Sequence, residues 1–277
     1  MHPKANAKID MIYRSRQYIL GIFLIQSCIS LTGQSPLTAY QLASGGAKTI
    51  QVSDLPTLNN PLSALYYDSG NTIIGSTEER YFSGISSSFI TYSHAGEHQG
   101  FMLGFHNYGI SEFSVDTWSA SYGRQLTDHL QLGATFKYIS LSIQEINNDS
   151  RGEINIDLGL SYEVQENLSL SLLAENLNSS SDLVSSFWNL GAQLDISDQV
   201  SLHTEYQYDA TDQRSTFVAG ARYSPIKELL ILIGINSTFQ GPAIGLQYEW
   251  KSFFIAAGVN NHFQLGQSGS LTLGGRF

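Results

Sequence analysis

The sequence predicts an all-β protein, a fourteen-stranded antiparallel transmembrane β-barrel with an N-terminal hatch or plug segment. Three observations predict it. From about residue 85 onward, apolar and polar residues alternate in segment after segment. Short and long connections alternate between these segments, and the chain ends in the aromatic residue Phe277. Inside a bilayer only helices and closed barrels satisfy every backbone hydrogen bond, and the alternating segments favour the barrel.

The alternation separates a charged face from an apolar face within each segment. Between residues 153 and 163, isoleucine, leucine and tyrosine occupy the even positions, whereas Glu153, Asp157 and Glu163 occupy odd positions. Many segments are long enough for a tilted strand to cross a bilayer, which takes roughly 9–11 residues. Strands of soluble β-sandwiches are usually shorter. Aromatic residues near segment ends, such as Trp118 and Trp250, are typical of interfacial girdles.

The connections predict the strand count and the topology. Six short connections alternate with seven outer ones, including segments 76–84 and 108–114, after a first strand near residues 71–75. Thirteen connections join fourteen strands, and an even count places both chain ends on the periplasmic side of a bacterial outer membrane. The predicted organisation is a signal peptide at 1–33, a periplasmic or hatch segment at 34–70 and the barrel at 71–277.

The N-terminal region has the pattern of a secretory signal. Four basic residues between positions 4 and 16 precede an apolar run at 18–29 that is too short to span a membrane as a helix, and we expect cleavage near Gly33. In the alternative, Cys28, the only cysteine, is lipidated after lipoprotein processing. Cleavage removes four basic residues and one acidic residue from a chain of net charge −10. The remaining acidic chain argues against nucleic acid as a partner.

Segment 34–70 does not alternate and carries turn-forming residues. The candidate hatch motif consists of Gly45, Gly46, Asp54, Asn60 and Pro61. We interpret the segment as a folded hatch that enters the lumen of the barrel; the alternative is a disordered periplasmic arm.

Inward-facing charges are the other candidate functional residues. They are Lys137, Glu153, Asp157, Glu163, Glu175, Glu205 and Arg222. These side chains line an ion path, or they form a polar network that fills the lumen and anchors the hatch. Buried charges have to be paired to be tolerated, and a plugged barrel leaves little open bore, which favours the network.

No residue set predicts an enzyme, a cofactor or a metal. Residues 266–269 fall one spacing short of a Gly-x-Ser-x-Gly nucleophile elbow, and the histidines at 94, 98 and 106 match no recognised ligand spacing. We therefore expect no catalysis. Phe277 is predicted to be a barrel-assembly signal for the insertion machinery, and outer-membrane lipid is the other expected partner.

Several segments, in this order, carry a family resemblance. They lie at residues 43–47, 53–65, 121–124, 132–138, 157–160, 174–177 and 273–277. Together they resemble FadL-like outer-membrane barrels of Bacteroidota, in the branch that includes PorV and PorQ of the type IX secretion system. The short chain and modest outer loops resemble the PorQ-like members slightly more. The chain departs from the family pattern at Leu62 and Ser63, where alanine and glycine are usual. The resemblance implies a fourteen-stranded barrel with an N-terminal hatch.

The resemblance implies two functions. The first is a non-enzymatic component of protein secretion or surface attachment, which binds secretion-system subunits or exported proteins. The second is a FadL-like channel for the passive uptake of hydrophobic small molecules. An apolar lumen with a kinked wall strand favours transport, whereas a polar, filled lumen favours a protein partner. The inward faces are mainly polar, which favours the first function.

Overall fold

The computed structural model describes residues 37–49, 59–65, 70–81, 84–110, 112–143, 149–179, 184–238 and 241–277. The predicted signal peptide at 1–33 and Asp54 of the hatch motif lie outside these ranges. Within them, fourteen strands form one closed barrel, and every strand runs antiparallel to both neighbours in sequence order. The predicted fold class is confirmed.

The strands run from rim to rim of the barrel. Their bounds are β1 Gly70–Arg80, β2 Ile85–Ala95, β3 Gln99–Ile110, β4 Phe113–Thr127, β5 Leu130–Ile143, β6 Asp149–Gln165, β7 Leu168–Glu175, β8 Phe187–Ser197, β9 Val200–Asp209, β10 Arg214–Ile226, β11 Leu229–Asn236, β12 Pro242–Trp250, β13 Phe253–His262 and β14 Gly266–Arg276. We call the rim where β1 begins and β14 ends the turn rim, since its six connections are short. The opposite rim is the loop rim.

Two predicted boundaries were wrong. Strand β1 continues to Arg80 instead of ending at residue 75. Its inward positions Ser76 and Glu78 are polar, which hid the alternation. The predicted long connection at 108–114 was too long, because β3 continues to Ile110 and β4 begins at Phe113. Near the end of β3, Gly109 has φ +142°, and a Cβ atom there would collide with the carbonyl oxygen of Phe113.

The barrel closes between its first and last strands. β1 and β14 pair from Thr72 opposite Arg276 to Glu79 opposite Gly269. Asn71 and Phe277 exchange both backbone hydrogen bonds, at 3.0 and 2.9 Å. Because closure removes the free edges, each wall strand has backbone partners on both sides.

The outer surface is apolar and the inner surface is polar. Phe136 and Ile154 point outward and are 60% and 64% exposed, whereas Thr135 and Asp157 point inward and are fully buried. A water-soluble protein rarely exposes such a continuous apolar surface, whereas a lipid-facing barrel wall requires it. None of the helices in the described ranges is long and apolar enough to cross a membrane.

The N-terminal part of the chain lies inside the barrel. We call its described residues, 37–49 and 59–65, the plug. Helix α1, Ala39–Ala43, begins with a capping box between Thr38 and Gln41. It ends in a Schellman motif, with Gly45 at φ +82° and Gly46 N–H donating to the Gln41 carbonyl at 2.7 Å. A 3-10 helix, Pro61–Leu65, completes the plug.

Glycines on the inner wall allow the plug to approach closely. Helix α1 and its C-terminal turn face Gly234, Gly245 and Gly258, and the 3-10 helix faces Gly100, Gly123, Gly133 and Gly159. A Cβ atom at Gly258 would collide with the carbonyl oxygen of Ala39, and one at Gly100 with that of Ala64. Backbone of the plug therefore occupies the space that larger side chains of the wall would fill.

We predict that Gly258→Ala weakens the seating of the plug. The added methyl group meets backbone, which yields little, so the free energy of unfolding should fall by about 1–3 kcal/mol. The matched control is Gly269→Ala on the neighbouring strand, where an added Cβ atom would meet no other atom within 4 Å. Guanidinium unfolding in detergent micelles, followed by circular dichroism, compares the two variants. Equal midpoints would show that the plug does not depend on this contact.

Candidate functional site

The irregular part of the plug is held by side chains of the wall. Residues 44–46 follow the end of α1, and three consecutive carbonyl oxygens there need partners. The pairs are His203 Nε2 with Ser44, Asn236 Nδ2 with Gly45 and Gln207 Nε2 with Gly46, at 3.2, 2.8 and 3.0 Å. The wall thus supplies the hydrogen bonds that secondary structure would otherwise make.

Glu205 of β9 binds the next residues of the plug through its carboxylate. The carboxylate is 1% exposed and accepts the backbone N–H groups of Lys48 and Thr49 at 2.9 and 2.7 Å. The Thr49 hydroxyl and the Gln207 side-chain amide also donate to it. Three donors from the plug and one from the wall converge on this one side chain, so it fixes the plug at one point.

Lys48 joins the plug to the wall by a second contact. Its ammonium lies 2.7 Å from Glu175 Oε1 on β7, and both side chains are buried. Asn189 donates to the same oxygen at 2.8 Å, and the Lys48 ammonium lies 4.4 Å from the centre of the Phe187 ring. The side-chain amide of Asn60 donates to the Lys48 carbonyl at 3.1 Å and so ties the two parts of the plug together.

A second buried ion pair lies beside the first. Lys137 Nζ is 2.7 Å from Asp157 Oδ2, and the Asp157 side chain is fully buried. Asp157 Oδ1 accepts the backbone N–H of Asn176, the residue that follows Glu175, at 2.8 Å. Four of the seven predicted lumen charges, at positions 137, 157, 175 and 205, therefore lie in one polar region around the plug.

The other three predicted charges lie away from this region. Glu163 is partly exposed, with an oxygen 3.9 Å from His129 Nδ1 near the turn rim. Arg222 lies 3.9 Å from Asp195, nearer the turn rim of its own strand. Glu153 is partly buried in the loop-rim half of β6. The predicted network of seven therefore consists, in the structure, of a compact group of four and three peripheral residues.

The described residues of the hatch motif all lie in the plug. Gly45 and Gly46 shape the end of α1, and Pro61 begins the 3-10 helix against Gly133 and Gly159. Asn60 accepts the Leu62 N–H at 3.0 Å and so caps this helix. The assembly role of Phe277 stays a prediction.

Sequence reasoning missed Lys48 and its polar neighbours. Lys48 is the only basic residue between positions 34 and 70 and follows the glycine pair directly. A lone lysine in a segment expected inside a barrel with excess acidic charge was the available signal. Gln207 and Asn189 gave no such signal in the sequence, since amide side chains are common on any inward strand face.

A cavity of about 320 Å³ lies between the plug and the loop rim. Leu37, Gly46 and Lys48 of the plug form part of its lining, and residues of β1, β8–β11, β13 and β14 enclose it. Arg80 lines it and is paired with Glu78, Nε to Oε1 at 3.1 Å. Burial raises the pKa of the Tyr81 phenol at the rim, so this hydroxyl stays neutral at ordinary pH. The size of the cavity is at the lower end of the range for small-molecule sites, about 300–1,000 Å³.

The fold of this chain is similar to that of solved channel and transporter structures. A deletion mutant of TodX, described as a monoaromatic hydrocarbon channel, superposes with a TM-score of 0.69 at 11% identity, over 87% of this chain and 99% of that one. The Pseudomonas putida toluene transporter TodX gives 0.65 at 10% identity, over 88% and 99%. A Pseudomonas aeruginosa FadL homologue gives 0.56 at 10% identity, over 87% and 98%.

Comparison by sequence finds no relative. No family model matches the chain, and neither does any curated protein. At 10–11% identity the structural likeness shows a shared barrel architecture. It confirms the FadL-like fold expected from the resemblance and does not distinguish its type IX secretion branch.

We predict that Lys48→Met destabilises the barrel. The substitution leaves Glu175 as a buried charge without its cation, which typically costs about 3–5 kcal/mol. Glu175→Gln in the same chain should recover part of this loss, because it removes the uncompensated charge. Lys227→Met, at an exposed turn position, is the matched control and should stay within about 0.5 kcal/mol of the wild type. Guanidinium unfolding of these four proteins and of Glu175→Gln alone measures the coupling, and additive losses would contradict it.

Proposed function

We propose that this chain is an outer-membrane channel for the passive entry of small molecules, gated by the plug. The observation that carries the proposal is the cavity, which has Lys48 of the plug in its lining. A molecule that enters from the loop rim meets the same residue that the buried Glu175 and Glu205 hold in place. Binding in the cavity and release of the plug thus share one side chain.

The outer surface of the barrel supports an outer-membrane location. Large apolar side chains cover its outer face, and closed β-barrels of this kind occur in outer membranes. The three structural neighbours are described as a hydrocarbon channel, a toluene transporter and a FadL homologue. Passive uptake is therefore the first function to test, with a hydrophobic molecule as the cargo that the family resemblance implies.

Transport along the barrel axis requires the plug to move. Around the described part of the wall, each strand is paired with both neighbours. The register shifts occur in four strand pairs, at residues 125–127, 163–165, 195–197 and 223–226, all beside connections at the turn rim. The continuous wall supports a route past the plug over a route through the side of the barrel.

One observation favours a second function. The polar region at the plug is densely bonded, and a permanently seated plug suits a component of protein secretion or surface attachment better than a channel. Such a protein would present its loops to secretion-system subunits or exported proteins. In that case the polar contacts serve stability alone.

We predict that Glu205→Gln increases ion conductance. The neutral amide has one acceptor oxygen in place of two, so the plug amides lose part of their anchor. In planar lipid bilayers the variant should show channel openings several-fold more often than the wild type. Glu228→Gln, at an exposed turn, is the control and should behave as the wild type does. Conductance equal in all three proteins would contradict a gating plug.

Deletion of the gene separates the two functions. Passive uptake predicts reduced entry of a radiolabelled monoaromatic compound or fatty acid, with an unchanged secreted and surface proteome. A secretion role predicts unchanged entry of these compounds and an altered secreted and surface proteome. Normal uptake together with lost export would overturn the channel proposal.

A further inference from the structure

The inner wall beside the plug carries more acidic than basic side chains. Glu175 on β7 and Glu205 on β9 are each 1% exposed. The ion pair of Lys137 with Asp157, on β5 and β6, lies next to them. With the plug seated, Lys48 brings a second ammonium group into this region. Three carboxyl groups therefore share two ammonium groups, and one of these two belongs to the plug.

Other ion pairs of the inner wall are arranged differently. Arg80 is paired with Glu78 near the loop rim, at 3.1 Å. Arg276 is paired with Glu249 near the turn rim, at 2.8 Å. Both partners of each pair belong to the wall, so their charges cancel whether or not the plug is seated. The ion pair at the plug differs, because its cation comes from the plug and its anion from the wall.

Movement of the plug removes its donors from both glutamates together. The Lys48 ammonium lies 2.7 Å from Glu175, and the backbone N–H of the same residue donates to Glu205 at 2.9 Å. Thr49 adds a second backbone N–H to Glu205 at 2.7 Å. Because one residue serves both carboxyl groups, a plug that moves away from β9 takes the cation from one and the amides from the other in a single step.

The wall holds both carboxyl groups in place after such a movement. Asn189 of β8 donates to Glu175 Oε1 at 2.8 Å, and Gln207 of β9 donates to Glu205 Oε1 at 2.6 Å. These amides are neutral, so they orient the two side chains without cancelling a charge. Water that enters the vacated space hydrates both carboxyl groups, and a glutamate side chain in contact with water is ionised at neutral pH.

We propose that Glu175 and Glu205 form a charge filter in the open channel, which favours cations and neutral molecules over anions. Acidic side chains around a pore select cations, because they attract positive ions and repel negative ones at close range. The proposal rests on the proposed function, since the filter is exposed only while the plug is displaced. Among hydrophobic cargoes, the filter favours neutral compounds and amines over carboxylic acids.

The filter lies next to the cavity. Lys48 and Phe187 line the cavity, and Phe187 lies opposite Glu175 in the β7–β8 register. Gln207, which donates to Glu205, lines it too. The two carboxyl groups thus lie directly behind residues of the cavity lining, so a solute that moves from the cavity into the vacated space comes close to both.

The reversal potential of single-channel openings tests the proposal with the wild-type full chain in planar lipid bilayers. Under a tenfold gradient of potassium chloride at pH 7, a preference for cations shifts the reversal potential toward that of potassium. We expect potassium to permeate several-fold more readily than chloride. Equal permeation of the two ions, or a preference for chloride, would overturn the filter.

Two variants assign the preference to these residues. Glu175→Gln and Glu205→Gln should each lower the ratio of potassium to chloride permeability by about two-fold or more, and the combined variant should bring the ratio close to one. The matched control is Glu79→Gln, whose side chain points outward from β1 and which should keep the wild-type ratio. An unchanged ratio in the combined variant would contradict the assignment. The wild-type ratio tests the filter even where a variant fails to fold.

Two aromatic ions of opposite charge extend the test to the cargo. Benzylammonium and benzoate each carry one ring and one charge, so they differ mainly in the sign that the filter meets. In the wild-type channel, benzylammonium should permeate more readily than benzoate. A preference for benzoate would contradict the predicted order of cargoes.

The outcome is separable from that of the proposed function. The frequency of openings reports whether the plug gates a channel, whereas the reversal potential reports which ions pass. Openings without a preference for cations would leave the channel standing and remove the filter. Absence of openings in both the wild type and Glu205→Gln would remove the channel and the filter with it.

Discussion

The architecture depends on one constraint: polar groups enclosed by a closed wall have to find their partners inside the protein. The contact of Lys48 with Glu175 and Glu205 is where this constraint acts most strongly, since it places three ionisable side chains in a buried setting. With the plug seated, the two carboxylates take their partners from it, and the plug backbone takes partners from them. Wall and plug therefore stabilise each other as one unit.

The same constraint links stability to transport. A channel needs a plug that seals and yet moves, and charge-assisted hydrogen bonds are suited to both because water can replace them. An apolar contact of the same area would offer no such exchange. The glycines of the inner wall contribute by bringing the plug backbone within reach of short side chains, as Gly245 does for Ala43. The close approach of the plug and its polar hydrogen bonds together hold it in the barrel.

The fold was predictable because the period of two reports directly which side of a wall a residue faces. The plug contacts were not, because they join residues far apart in the chain: Lys48 and Glu175 are separated by 127 positions. The partner of each inward charge depends on the strand register and on the position of the plug. The alternation of apolar and polar residues contains information on neither. The same reason hid the role of Gly258, whose inward face meets the carbonyl oxygen of Ala39 in the plug. The extension of β1 was missed since polar inward residues leave no apolar period.

Hydrogen–deuterium exchange of the plug tests the central claim most directly. If the carboxylate of Glu205 holds the plug inside the barrel, amides in residues 44–49 should exchange nearly as slowly as those of β9 in the full chain in detergent micelles. Their protection should fall in Glu205→Gln while that of the wall strands persists. Rapid exchange of residues 44–49 in the wild type, with a protected wall, would contradict the account.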